Sequence, residues 1–469
     1  MFGVKSFIFI KNKDYNFKVK KMKKNDLQNS SVKAVFWKYT LPSIAMMLIM
    51  SVYFIVDGMF VGKGIGSDAL GAVNLCIPIL MALNTITMAL SIGASIVISI
   101  RLGRQEYAQA NNVFSLLFWI NMILVVILST IGLMFLDEIA YLLGANEDTV
   151  VYATKYLSII FYFMPFFTLQ NTLSSVVRND GNPNLSLVAS VSSSLINIPL
   201  DYVLIFILNW GITGAAVATG FSQVLASLIL ITHFLFKKGH LRFIMPKFDA
   251  PLFKQQIINS VPVFISNISM PIIMFIMNLL SSRYYGMIGL SAYAIIGSIS
   301  MFVMMIFFGM AQGIQPIISY NVGTNNTDRI KTTLKMGIFY STLIALIISA
   351  LIALFPEFLI NLYITDNPDL LKLSVQALLI FMSGFVFEGA NLLLVTYFQS
   401  IENNKMALLI SIARTFVVMT LVALLLPVFF GAVAVWLVVP VTEVLVLLGI
   451  GIFYFKQDKQ YVLNQAQSN

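Results

Sequence analysis

The chain has 469 residues, of which 59% are hydrophobic and only 10% are charged. Soluble domains carry about 25% charged residues, so the composition excludes an ordinary soluble protein and implies an all-α integral membrane protein. A formal net charge of +9 is concentrated in loops on one side of the membrane and is no sign of nucleic-acid binding, while the single cysteine, Cys76, excludes an intramolecular disulfide.

Residues 1–38 contain ten lysines. The apolar run Phe7–Ile10 is too short for a signal-peptide core, so this stretch is expected to be a basic cytoplasmic tail, with Met22 as an alternative start. Hydrophobic runs follow at 40–62, 69–100, 113–136, 151–176, 184–208 and 211–236. A basic stretch, 237–256, separates them from six more at 257–281, 288–320, 333–356, 371–398, 404–429 and 431–455. Each is long enough for a membrane-spanning helix, which takes about 20 residues. The expected organisation is a six-helix half over 39–236, a cytoplasmic linker over 237–256, a second six-helix half over 257–456 and a cytoplasmic tail over 457–469.

Loop charges orient the chain. With the N-terminus inside, 24 of the 29 Lys and Arg residues fall on the cytoplasmic side. Lys63, Lys155, Arg283 and Lys372 fall outside, and Arg414 lies within a span. The longer outer loops are acidic, with Asp137, Glu138, Glu147 and Asp148 in one and Glu357, Asp366 and Asp369 in the other. The positive-inside rule then places both termini in the cytoplasm.

A shift of 220 residues lays 42–103 on 262–323 without a gap, matching Pro42 to Pro262, Gly66 to Gly286, Gly93 to Gly313 and Gly103 to Gly323. Further on, Gly211 meets Gly431. Glycine and proline matches are informative because each constrains the backbone. Six spans per half is an even number, so the halves share one topology and are expected to form two pseudo-symmetric lobes around a central cavity, related by an axis along the membrane normal.

Five ionisable residues lie well inside spans: Asp57, Asp201, Glu388, Arg414 and Glu443. Such residues are costly in a bilayer and mark functional sites by default. Asp57 and Asp201 are at the same depth, roughly 25 Å from the inner surface at 1.5 Å per residue. Asn197 lies one turn before Asp201 on the same face, with Pro199 between them expected to kink the helix. Thr219 enters from outside to a similar depth. These four residues are expected to cluster, because buried acids need partners, and two neighbouring carboxylates resist simultaneous ionisation. Glu388 and Arg414 share a depth on adjacent spans and are expected to pair. Glu443 is either a second partner or a separate cavity residue. His233 and His240 form no metal-ligand pair, and no metal site or cofactor is expected.

Several segments resemble one family. Pro42-Ser43 with Tyr53-Phe54-Ile55-Val56-Asp57-Gly58-Met59-Phe60-Val61-Gly62 is similar to the first helix of the multidrug and toxic compound extrusion (MATE) family. So are Arg178-Asn179-Asp180-Gly181-Asn182-Pro183, Asn197-Ile198-Pro199-Leu200-Asp201-Tyr202 and Gly211-Ile212-Thr213-Gly214-Ala215-Ala216. The likeness covers about 35–455 and is nearest to the bacterial MepA-like branch, near the DinF group. It implies twelve helices in two lobes, and antiport in which a proton or sodium ion enters as an organic, often cationic, compound leaves. It maps the ion-coupling residues onto Asp57, Asn197, Asp201 and Thr219. Some relatives carry an acid for sodium in the seventh helix, where 257–281 offers only Asn267 and Asn278.

The expectation is therefore a multidrug efflux antiporter, monomeric, in the bacterial cytoplasmic membrane, with small organic cations and the lipid bilayer as partners. A flippase for lipid-linked oligosaccharides is the competing reading, but a pyrophosphate headgroup would call for several basic residues in the cavity, and only Arg414 lies mid-span. An enzyme is not expected, since no HExxH motif, serine–histidine set or metal cluster is present.

Overall fold

The computed structural model describes residues 26–363 and 367–467; the tail to residue 25, with Met22, and Asp366 lie outside them. Among the described residues there are helices and no strands. Short α1 (Asp26–Asn29) leads into α2 (Val32–Gly64), α3 (Ser67–Gly103), α4 (Tyr107–Met134), α5 (Leu136–Leu142) and α6 (Glu147–Asn179). Then come α7 (Pro183–Asp201), prolonged by a π-helical segment over Tyr202–Ile207, and α8 (Ile212–Leu235). The second half runs through α9 (Ala250–Gly323), α10 (Thr327–Leu354), α11 (Pro356–Asn361), α12 (Pro368–Phe381) and α13 (Phe385–Ser400). It ends with α14 (Asn404–Ile412), a π segment over Ala413–Val418, α15 (Met419–Phe430) and α16 (Val438–Gln467).

Eleven of these helical runs are long and apolar enough to cross a membrane. One, α9, has 74 residues, about 110 Å at 1.5 Å per residue, far more than one bilayer crossing. Gly286 breaks it, with φ 63° and ψ −148°, so α9 supplies two spans and the described residues hold twelve, six in each half. Gly66, the repeat partner of Gly286, also has positive φ and caps the start of α3. The same spacing pairs other left-handed residues, Gln105 with Asn325 and Gly211 with Gly431. The repeat is thus written in backbone turns as well as in apolar runs.

Helix starts are set by local chemistry. Asn182, Asp249, Asn367 and Asn403 each cap a helix by accepting a backbone N–H with the side chain, which satisfies one of the otherwise orphaned donors of the first turn. Pro183, Pro251 and Pro368 follow within the first turn, where proline is tolerated. Asp249 and Pro251 start α9 inside the stretch expected to be linker, so the irregular connection ends at Asp249. At the other end, α16 continues to Gln467, through most of the expected C-terminal tail.

The chain forms two compact units that do not coincide with the two repeats. The first runs to Phe264 and takes in Gln312–Thr333 and Ser400–Glu402; the second comprises Ile265–Ala311, Leu334–Gln399 and the chain from Asn403. In the first unit α6 is the central helix, packed by α3, α4, α7 and α8. Lipid gives helices no hydrophobic reason to associate, so small and polar side chains must hold the seams. The α3–α6 seam does so with three rungs one turn apart: Ser91 to Thr172 at 3.0 Å, Ser95 to Ser175 at 2.8 Å, and Ser99 to Asn179. Asn121 of α4 donates into the first rung, to Ser91 and Thr172, both at 2.9 Å. Large apolar side chains such as Trp119, Ile127, Phe221, Phe275 and Leu346 face outward, as a lipid-facing surface requires.

Candidate functional site

Asp57 sits on α2 one turn beyond Tyr53, and Asp201 is the last α-helical residue of α7. The expected kink at Pro199 takes a particular form. α7 stays α-helical through Pro199 and then widens to the π segment at Tyr202. A π turn shifts the hydrogen-bond register and is frequent at functional sites. It brings Ile205 and Phe206 against Gly64, where a β-carbon would stand 2.5 and 2.8 Å from them, and Phe60 meets Phe206 edge-on. The C-terminal end of α2 is thereby held against the end of α7, and the two acids lie near one another.

The side chains of Asp57 and Asp201 lie close enough to interact directly, and each has a buried Oδ1 with no hydrogen-bond partner. Asn197, fully buried, donates its amide to Asp201 Oδ2 at 2.8 Å and accepts the backbone N–H of Thr219 at 3.2 Å in the orientation that satisfies its neighbours. Tyr53 donates to the Thr219 hydroxyl at 3.4 Å. The structure therefore gathers Asp57, Asn197, Asp201 and Thr219 in one place and adds Tyr53. Sequence reasoning passed over this residue, although its position one turn from Asp57 was a usable signal.

The second unit has its own buried charge cluster. Arg414, in the π segment of the equivalent helix, donates from Nε to Glu443 at 2.6 Å and from Nη2 to Glu388 at 3.1 Å. The Glu388–Arg414 contact is present, and Glu443 is a second partner at shorter distance. Asn391, not anticipated, donates to the Glu443 carboxylate at 2.7 Å and to its backbone carbonyl at 2.9 Å. Two glutamates on one arginine leave a formal charge of −1 if all are ionised.

His233 and His240 serve the linker. Asp180, at the end of α6, accepts from His233 Nε2 at 2.8 Å and from the backbone N–H groups of His240 at 2.8 Å and Leu241 at 3.2 Å. The His240 ring stacks on Tyr107. Among the described residues no group of His, Cys, Asp and Glu has a metal-binding arrangement.

The MatE family model matches residues 42–203 and 262–425, that is, both repeats. The chain belongs to the MatE family. It is 28% identical over 434 residues to the multidrug export protein MepA of Staphylococcus haemolyticus strain JCSC1435, covering 92% of this chain and 95% of that one. It is 25% identical over 435 residues to MepA of Staphylococcus aureus strain MSSA476, covering 92% and 96%. A multidrug resistance MATE family transporter of the MOP superfamily, solved in an outward-facing conformation, superposes with a TM-score of 0.87 at 23% identity, over 93% of this chain and 98% of that one. A MATE in a bent conformation gives 0.87 at 23% identity over 96% and 100%. These likenesses match a MATE fold of twelve membrane helices.

Proposed function

We propose that this MatE protein is a multidrug efflux antiporter, a transporter and not an enzyme. It exports organic, often cationic, compounds in exchange for protons, with sodium as the other coupling ion the site chemistry admits. The contact between Asp57 and Asp201 carries the reading. Ionised carboxylates are acceptors only, so two of them side by side in an apolar bundle need a proton or a cation between them. Loss of that ion leaves two uncompensated charges that favour a cationic substrate nearby, and its return removes the attraction. Affinity that differs between the two states is what couples the flows. Sodium suits the same place because the carboxylates of Asp57 and Asp201 and the hydroxyl of Thr219 present oxygens, which hard cations prefer.

The basic ends of the helices are read as cytoplasmic by the positive-inside rule, with both termini inside and a monomer in the cytoplasmic membrane as the transporting unit. The names of the MepA relatives support the substrate class. A lipid-linked sugar flippase finds less support, because Arg414 is already held by two glutamates and is not free to meet a pyrophosphate. Dye efflux from proteoliposomes tests the proposal. Efflux driven by an imposed proton gradient supports proton coupling, efflux driven only by sodium replaces the ion, and no dye movement under either gradient overturns the antiporter reading.

A further inference from the structure

We infer that the first unit holds a cytoplasmic gate in its closed state, shut where Gly103 crosses Gly323 and strapped by residues 27–30. The inference rests on the export reading only in taking the basic face as cytoplasmic and in requiring that face to open. Every residue it uses belongs to the first unit.

The repeat-matched glycines of the two halves meet one another. A β-carbon on Gly103 would strike the carbonyl oxygen of Tyr320 and stand 3.0 Å from Cα of Gly323. A β-carbon on Gly323 would strike the carbonyl oxygen of Ile100 and stand 2.9 Å from Cα of Gly103. Ile100 and Tyr320 are themselves one repeat apart, so α3 and α9 cross backbone to backbone about a local twofold. The second glycine pair repeats the device. Gly93 lies against Ser260, whose N would be 2.7 Å from an added β-carbon, and Gly313 lies against Thr40, whose Cα would be 2.5 Å away. Thr40 and Ser260 are also one repeat apart. Glycine is needed wherever helix backbones approach this closely.

Polar groups seal the crossing. Asn179 and Gln315 exchange hydrogen bonds at 3.3 and 3.2 Å, Gln315 donates to Ser319 at 3.2 Å, and Ser319 donates to the Ser400 carbonyl at 3.2 Å. Asn179, Gln315 and Ser319 are all buried. The strap lies over this face. Leu27, 2% exposed, packs in one cluster with Ile98 and Leu102 of the first repeat and Ile317 and Tyr320 of the second. Arg329, in the first turn of α10, donates to the carbonyls of Leu27 and Ser30, both at 2.9 Å. A segment that continues into the first repeat is thus clasped by a residue of the second.

For a compound to enter from the cytoplasm the two repeats must part here, since alternating access moves one repeat against the other. A methyl group at Gly103 or Gly323 is excluded from the closed crossing but has no such obstacle once the helices separate. Removing the Arg329 clasp weakens closure without touching the crossing itself.

The test uses thiol access. Ser319→Cys in a Cys76→Ala background places the only cysteine under the gate, and a membrane-impermeant maleimide is applied to inside-out vesicles without substrate or ion gradient. We expect slow labelling in this parent. Gly103→Ala and Arg329→Gln should each raise the rate by about fivefold or more, the usual lower range of a conformational coupling. Parental labelling in Arg329→Gln or in a correctly inserted Gly103→Ala protein overturns the gate, as does fast labelling of the parent. Because no transport is measured, a wrong substrate or coupling ion leaves this result unaffected.

Discussion

Asp57 and Asp201 come from helices well separated in the chain, yet their side chains lie close enough to interact, each with one bare buried oxygen. Asn197 and Thr219 complete the surroundings, with Asn197 bonded to both Asp201 and the Thr219 backbone. An Asn at either acid keeps the shape and supplies an N–H, so the contact survives without a titrating proton. Asp57→Asn and Asp201→Asn are expected to abolish uphill efflux, a loss of at least about tenfold if the differential affinity is of the usual coupling size, while membrane levels stay normal. Binding of a cationic dye should depend on pH in the parent and lose that dependence in both variants. Equilibrium dye binding across pH, alongside efflux, checks this.

Depth counting groups the first-unit residues because a helix rises by a fixed amount per residue, so acids on different spans can be compared from the sequence alone. The method has no access to hydrogen-bond register. Neither π segment, at Tyr202–Ile207 or Ala413–Val418, leaves a compositional mark, and both follow or contain the charged residue that matters. Tyr53 and Asn391 were missed because each resembles an ordinary span residue until its partner is known. The spans and repeat were legible from apolar runs and spaced glycines. That Gly103 meets Gly323 was not, since a repeat says which positions are equivalent and not which touch. The Asp180–His233 contact joins residues 53 apart and had no sequence signal.

That contact predicts how the linker is held. Asp180 serves three donors, and removing it leaves the backbone N–H groups of His240 and Leu241 without their acceptor. Asp180→Ala is expected to destabilise the protein by about 3 kcal/mol and to free the linker backbone, so that trypsin cleaves faster at Lys237, Lys238 and Arg242. Asp180→Asn, which retains an acceptor oxygen, should do less. Thermal unfolding in detergent and the rate of tryptic cleavage in the linker measure the two effects.

The N-terminal tail makes a simpler prediction. Among the described residues Arg329 anchors the carbonyls of Leu27 and Ser30, so a protein starting at Met22 retains the strap and should insert and transport like the full chain. One starting at Val32 removes both anchors and should label as Arg329→Gln does. Loss of transport on starting at Met22 would refute the first statement.

The Glu388–Arg414–Glu443 cluster separates a structural role from a transport role. All three residues are buried, with Glu443 1% exposed. Breaking a buried ion pair by removing one partner costs about 3–5 kcal/mol, whereas replacing the whole set with neutral groups is often close to neutral. Arg414→Met leaves two glutamates facing each other and should be the least stable variant. Glu388→Gln removes only the longer contact and should be mild. Glu443→Gln should fall between them, because Asn391 and Arg414 both lose a charged acceptor. Arg414→Met combined with Glu388→Gln and Glu443→Gln should recover much of the stability lost in Arg414→Met alone. Thermal unfolding of the four proteins gives the order, and a combined variant less stable than Arg414→Met would show that the charges are not offsetting one another. If the recovered variant also pumps dye at the parental rate, the cluster serves packing; if it is stable but inactive, the second unit contributes charge to transport as well.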